Sequence, residues 1–231
     1  MINTGINAII GLQLKKITPN QKLLSTSLII GIIIPDIDLI IDYLLSLFIG
    51  FNFLYDPQLS NTLFHSLFAI PVLSLLILIY LEYKNKNNIS IVIGLSIGMS
   101  LHILLDILTL KSVGIFYPLF NTDLNLNLND YLNIQIPNKY INILYAFDFL
   151  FFRLYTWMII NIIINNKNDQ FQILKKISLW MKIQLYIFLL FLFLIYFDVS
   201  KDMFAYLFGL AYTLSLAMML YMTYKTRKII N

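Results

Sequence analysis

A chain of 231 residues that is 59% hydrophobic and only 12% charged does not resemble an ordinary soluble domain, in which about a quarter of the residues are charged. Its mean hydropathy is +0.79. Its net charge is +4, and its basic residues are scattered along the chain instead of forming one stripe. Nucleic acid is therefore not expected as a partner. The chain has no cysteine, which excludes disulfides and thiolate metal sites. Composition therefore predicts an integral membrane protein.

The N-terminal part of the chain predicts short elements. Residues 1–14 are mildly amphipathic, which predicts a helix at the membrane interface. Residues 23–34 and 39–54 are two short apolar pieces on either side of Pro35. Proline disfavours the α conformation of the residue before it, so a broken or re-entrant helix is expected here. Irregular backbone at membrane depth is tolerated where it lines a cavity or is buried in protein.

The rest of the chain contains longer apolar runs. A transmembrane helix needs about 20 apolar residues, and five predicted spans approach or exceed this length: 63–81, 89–110, 141–164, 177–197 and 203–224. The 111–140 loop contains a strict Leu-Asn alternation at 124–129, which predicts a short β-hairpin or an amphipathic surface loop. The expected fold is one all-α, polytopic transmembrane helical bundle over residues 1–231. Within it, residues 1–120 would carry the site and residues 141–225 would be scaffold.

The distribution of basic residues predicts the orientation. Lys225, Arg227 and Lys228 mark the C-terminus as cytoplasmic by the positive-inside rule. Alternation of the spans then places the 167–182 cluster inside and the 111–140 loop outside. A bacterial or archaeal cell (inner) membrane is the expected location.

The two histidines of the chain are the first candidates for chemistry. His102 and Asp106 are four residues apart and share one face of a helix, so they could grip one ion, or simply hold two helices together as a polar pair. His65 is followed by Ser66 and is predicted to open an apolar helix on the outer side. Ser66 and Thr109 could orient the ligands or make local backbone hydrogen bonds.

Three acids occupy the broken element. Asp36 and Asp38 would converge only if Pro35 leaves that turn irregular, and Asp42 follows one turn later. Otherwise Asp36 favours the positive end of a helix dipole. An acid at the membrane centre costs about 2.5–3.5 kcal/mol, and no Lys or Arg occurs between residues 23 and 83. The acids must be protonated, hydrated or bound to cations, and a divalent metal with His and Asp ligands meets that requirement.

These residues resemble a known family. The pattern consists of Gly31-Ile-Ile-Ile-Pro35-Asp36-Ile37-Asp38, then His65-Ser66, then His102-x-x-x-Asp106-x-x-Thr109 and Pro118. In this order it is similar to the YdjM-like, membrane-bound, metal-dependent hydrolases over about residues 1–120.

The resemblance implies a set of metal ligands, namely Asp36, Asp38, His65, His102 and Asp106. The sequence departs from the family pattern in two places. Asn7 is the nearest candidate for the family's N-terminal histidine, and Asn61 and Phe64 stand where the family has an arginine and a threonine.

The leading hypothesis is a hydrolase that uses one or two divalent ions, with zinc expected, and cleaves an ester or phosphoester of a lipid-derived substrate. Asp38 or Asp42 would act as the general base. Two alternatives remain open. One is an ion-coupled transporter, and the other is a degenerate homologue that binds metal without turnover.

Overall fold

Helices make up most of the described chain. The structure is a computed structural model that describes residues 4–15, 21, 23–57, 59, 62–86, 88–108, 114–118, 138–166 and 171–230. Its helices are α1 (Thr4–Leu14), α2 (Leu24–Ile33), α3 (Ile37–Ile49), α4 (Ala69–Tyr83), α5 (Ile89–Leu108), α6 (Asn138–Asn165), α7 (Phe171–Tyr196), α8 (Lys201–Lys225) and α9 (Arg227–Ile230). A 3-10 turn, Ile34–Asp36, joins α2 to α3. The predicted all-α bundle, broken at Pro35, is confirmed. The alternation at 124–129 lies outside the described residues.

Among the described residues, four helices are long and apolar enough to cross a membrane, namely Ile89–Leu108, Asn138–Asn165, Ile173–Tyr196 and Lys201–Lys225. The span predicted at 63–81 is different in the structure. Residues 62–68 form turns, and α4 has only 15 residues, about 22 Å of helix against a hydrocarbon core of about 30 Å. The chain is an integral membrane protein with α4 as a shorter apolar helix.

Among the described helices, α2 and α5 make the most extensive contact. Gly94 and Gly98 form a G-x-x-x-G pattern on α5 that lies against α2, and such small residues let membrane helices approach closely. A Cβ on Gly98 would lie 2.7 Å from the Ile32 nitrogen and 2.9 Å from the Gly31 carbonyl carbon. These distances leave no room for a side chain, so glycine sets the separation of the two helices.

Helix α1 is packed within the bundle. It contacts α6 and α2, and it buries Thr4, Asn7 and Ala8 on its inward face. The prediction of an interfacial helix is therefore wrong. The cause is the small and polar character of that inward face, which fits a protein interior with hydrogen-bond partners better than a lipid surface.

The later helices share an aromatic core. Rings from α6, α7 and α8 pack at centroid distances of 5.1 Å (Phe149 with Phe191) and 5.5 Å (Phe149 with Phe208). Helix α8 also touches the first half of the chain, because the Tyr43 ring of α3 lies directly against Gly209. The early and late helices therefore pack against each other, with α8 in contact with α2 and α3.

Candidate functional site

The 3-10 turn at Pro35 places two acids in the interior. Proline has no N–H to continue the i→i−4 bonds of α2, and the chain tightens over Ile34–Asp36 before α3 begins. Asp36 is 5% exposed and Asp38 is fully buried. Asp36 Oδ1 lies 3.7 Å from His102 Nε2, whereas Asp38 Oδ2 lies 3.2 Å from His65 Nδ1. The irregular turn thus lets both acids reach the same region, each beside a different histidine.

Helix α5 contributes His102 and Asp106 from its last two turns. They lie on the same side of α5 as Gly98, since His102 follows Gly98 by four residues and Asp106 follows it by eight. His102 Nε2 lies 3.3 Å from Asp106 Oδ2. Its other ring nitrogen, Nδ1, lies 2.7 Å from the Ile32 carbonyl oxygen of α2. The close α2–α5 contact at Gly98 is what brings this carbonyl within reach of the ring.

His65 lies in a turn, and not at the start of a helix as predicted. Asp38 Oδ2 accepts the Phe64 backbone N–H at 2.9 Å, next to His65. Ser66 Oγ donates to the Tyr117 carbonyl at 2.5 Å, and the Leu67 N–H donates to the Ile115 carbonyl at 2.9 Å. The turn is thus held on one side by α3 and on the other by the 114–118 segment. Ser66 acts on the backbone of that segment.

The hydrogen bonds place the proton of His102 and are compatible with the same tautomer of His65. A carbonyl oxygen only accepts, so the contact to Ile32 places the His102 proton on Nδ1. The Asn7 amide nitrogen lies 3.2 Å from the same Nδ1, and exchanging the nitrogen and oxygen of that amide would let its oxygen accept the same proton. The Asp38 carboxylate accepts a proton on His65 Nδ1, and Asp106 lies at the same 3.2 Å from His65 Nε2. With the His65 proton on Nδ1, both Nε2 atoms keep lone pairs.

These lone pairs face each other. The two Nε2 atoms are 3.1 Å apart. Asp106 Oδ2 lies 3.2 Å from His65 Nε2 and 3.3 Å from His102 Nε2. An added proton could relieve only one of these contacts at a time. A cation among the three atoms would attract all of them, so the arrangement favours a cation.

The spacing of the atoms fits a metal. With zinc–nitrogen bonds of 2.0–2.1 Å, ligand atoms in a tetrahedron are about 3.3 Å apart. His65 Nε2, His102 Nε2 and Asp106 Oδ2 lie 3.1–3.3 Å from one another, and Asp36 Oδ1 lies 3.7 Å from His102 Nε2. The buried group of Asp36, His65 and His102 can hold a metal ion, since its ligand atoms all lie within 4.8 Å of one another. Asp36 Oδ2 and Asp38 Oδ1 are also buried, with no hydrogen-bond partner among the described residues.

The other predicted site residues differ in their surroundings. Both oxygens of Asp42 accept the N–H of Leu59, at 2.9 and 3.1 Å, so Asp42 holds the segment that follows α3. Thr109 lies outside the described residues.

Asp148, which sequence reasoning overlooked, is buried in α6 and accepts the Gly5 N–H at 3.0 Å. The signal for Asp148 was available, because it is the only acid in the 141–164 span.

A comparison with known families identifies the family of this chain. The family model described as YdjM inner membrane protein matches residues 3–207. The chain belongs to this family. The match extends well beyond the motif region at 1–120 and includes α6, α7 and the start of α8, so membership in the YdjM family applies to the bundle as a whole. No curated protein and no solved structure matches the chain.

Proposed function

We propose that the chain is a membrane-embedded, metal-dependent hydrolase that cleaves an ester or phosphoester of a lipid-derived substrate. The observation that carries the proposal is the convergence of two imidazole nitrogens and a carboxylate oxygen, in which each histidine has an acceptor for its proton on the far side of its ring. Asp36, His65, His102 and Asp106 would hold the metal, and their His and Asp donors suit zinc. Asp38 would act on the site through His65.

The metal would bring the electrophilic part of the chemistry. When bound, a divalent ion supplies Lewis acidity that polarises the scissile group and acidifies water toward a pKa of about 7. The residues of the chain would orient the metal ligands and exclude bulk water. Asp38 and the Ile32 carbonyl keep both imidazoles in the tautomer that can bind a cation, and the near-complete burial of the cluster keeps bulk water away.

A proton acceptor is the second requirement for hydrolysis. Asp38 is the stronger of the two predicted candidates, because its Oδ1 has no hydrogen-bond partner among the described residues. Asp42 already accepts a backbone N–H with both oxygens. We therefore assign the general base to Asp38 and a loop-holding role to Asp42.

The place of the site in the bundle supports a lipid-derived substrate. His102 lies six residues from the end of α5, or about 9 Å along the axis, so the cluster is close to one end of a membrane span. The neighbouring helix α3 ends in exposed apolar side chains, Leu47, Phe48 and Ile49. A substrate with an acyl chain could approach along this surface from the bilayer, with its polar bond at the level of the cluster.

The proposal is tested by metal content and turnover in detergent. We expect about one metal ion per wild-type chain by elemental mass spectrometry, and loss of it in His102→Ala and Asp36→Asn. Asp198→Asn is the matched control, because Asp198 is an exposed carboxylate whose side chain is 84% accessible. Wild-type protein without metal, or His102→Ala with unchanged metal content, would exclude the metal site.

Turnover is measured separately on a panel of lipid esters and phosphoesters. Hydrolysis that survives in the double variant Asp36→Asn with His65→Ala would show that the chemistry lies elsewhere. The degenerate alternative is favoured by Asn7, which stands beside His102 where a charged or imidazole group would add to the site. Full metal occupancy without turnover of any substrate on the panel would support that alternative.

A further inference from the structure

Helix α1 provides none of the proposed ligands, yet it contacts the site. The Asn7 amide lies 3.2 Å from His102 Nδ1 and is 3% exposed. Together with the Ile32 carbonyl, it is the second group that holds the proton-bearing side of the ring. The orientation of His102 therefore depends on where α1 places Asn7.

The start of α1 is bound by two helices from the later part of the chain. The Gly5 N–H donates to Asp148 Oδ1 of α6 at 3.0 Å. Thr4 Oγ1 and the Tyr212 hydroxyl of α8 lie 2.5 Å apart. Thr4, Asp148 and Tyr212 are all at most 1% exposed. A carboxylate inside a membrane span is costly and usually serves a function, so this buried polar cluster requires an explanation beyond packing.

Close packing fixes α1 along its axis as well. A Cβ on Gly5 would lie 2.5 Å from the Phe151 Cβ, and one on Gly11 would lie 3.0 Å from Ile32 Cγ2. Thr4 and Asn7 are one turn apart on the inward face of α1. A shift at Thr4 is therefore carried to Asn7, because the helix between them is rigid.

The polar cluster also lies near the acids of the site. Tyr212 interacts electrostatically with Asp36 and with Asp106, in addition to Asp148. Helix α8 thus comes near the acids of the proposed metal site.

We propose that Thr4, Asp148 and Tyr212 are positioning residues of the metal centre, which act through α1 and Asn7 on His102. This inference rests on the proposed metal site and adds a control of that site by α6 and α8. A purely structural anchor for α1 would affect the stability of the fold and leave the affinity and ligand field of the metal unchanged.

The experiment measures metal binding in the full chain in detergent. Zn²⁺ affinity is obtained by competition with a chelating dye, and Co²⁺ absorption reports the ligand geometry. The variants are Tyr212→Phe, Thr4→Val and Asn7→Ala. Tyr155→Phe is a matched control, because Tyr155 is equally buried and its hydroxyl lies 2.6 Å from a threonine oxygen, that of Thr223.

We expect Asn7→Ala to weaken Zn²⁺ binding about 10-fold, as is typical when a group that orients a metal-binding histidine is removed. Tyr212→Phe and Thr4→Val should each weaken it about threefold, because they act one step further away. All three should shift the Co²⁺ bands, whereas Tyr155→Phe should lower the melting temperature without either effect. Thr4→Val removes the same hydrogen bond from the other side. It therefore tests the positioning role if Tyr212→Phe does not fold.

The outcomes separate this inference from the proposed function. If wild-type protein binds metal and Tyr212→Phe behaves like Tyr155→Phe in both affinity and spectrum, the positioning role is overturned and the metal site stands. If wild-type protein binds neither Zn²⁺ nor Co²⁺, both proposals fail. Unequal effects of Tyr212→Phe and Tyr155→Phe on affinity at equal loss of melting temperature support the positioning role.

Discussion

Replacing Gly98 by alanine tests how far the metal site depends on the α2–α5 contact. The new Cβ would lie 2.7 Å from the Ile32 nitrogen and closer still to the Leu28 carbonyl oxygen, whereas ordinary van der Waals contact begins at about 3.4 Å. If the helices separate by at least the distance of about 0.7 Å that is missing at Ile32, the 2.7 Å bond between His102 Nδ1 and the Ile32 oxygen stretches to about 3.4 Å or more, beyond the usual hydrogen-bond range.

Two results are expected from this change. The free energy of unfolding should fall by about 1–3 kcal/mol, as is typical when a close-packed contact is overfilled. Zn²⁺ affinity, measured by dye competition, should fall about 10-fold because His102 loses a group that fixes its tautomer.

Gly114→Ala is the matched control. A Cβ at Gly114 would meet its nearest neighbour, Thr62 Cγ2, at an ordinary 3.4 Å, so little change is expected in either quantity. If Gly98→Ala kept wild-type metal affinity at a clearly lowered stability, the proposed coupling between helix separation and His102 orientation would be refuted.

Three further predictions concern the site and its orientation. Asp38→Ala should weaken Zn²⁺ binding about 10- to 100-fold, since it removes the partner of His65; unchanged affinity would contradict the role assigned to this bond. Asp42→Ala should destabilise the fold by about 1–3 kcal/mol by leaving the half-buried Leu59 N–H without its acceptor, with metal affinity within about twofold of wild type. Loss of turnover in a stable, metal-loaded Asp42→Asn protein would instead make Asp42 catalytic. Because the chain has no cysteine, single cysteines introduced in the 111–140 loop and at the C-terminus can be labelled with an impermeant maleimide. Intact cells should label only the cysteine in the 111–140 loop, and the opposite result would reverse the predicted topology.

The sequence was sufficient to predict the membrane class and the meeting of the site residues. The i, i+4 spacing of His102 and Asp106 predicted that the two side chains share a helix face, and in α5 they lie 3.3 Å apart. The condition set on Asp36 and Asp38, that Pro35 must make the turn irregular, is met by the 3-10 turn. These features depend on local periodicity and on the stereochemistry of proline, both of which can be read from neighbouring residues.

Other features depend on contacts between distant segments. The sequence around His65 is apolar, which favoured a helix, but hydrogen bonds from Ser66 to the 114–118 segment and from Phe64 to Asp38 keep it in a turn. The inward position of α1 likewise depends on Asp148 and on other partners more than a hundred residues away. No local pattern encodes such pairings.

The G-x-x-x-G pattern of α5 was available in the sequence and was not used. Gly94 and Gly98 could have predicted a close helix partner, although not that α2 would be that partner. The identity of the partner depends on Gly31 and Ser27, which lie opposite them. Small residues on two helices become informative only when the two faces are considered together.

Gly94, Gly98, His102 and Asp106 follow one another at intervals of four residues along α5. The spacing of this series limits which changes of length the protein can tolerate during evolution. Each residue turns a helix by about 100°, so deleting or inserting one residue between Gly98 and His102 would rotate the ligands away from the glycine face. Substitutions outside the series leave that register intact, and so do changes of length in the 84–88 connection before α5. The distance from the helix contact to the chemistry is therefore fixed in residue number, and relatives that keep the site should keep the number of residues between positions 94 and 106.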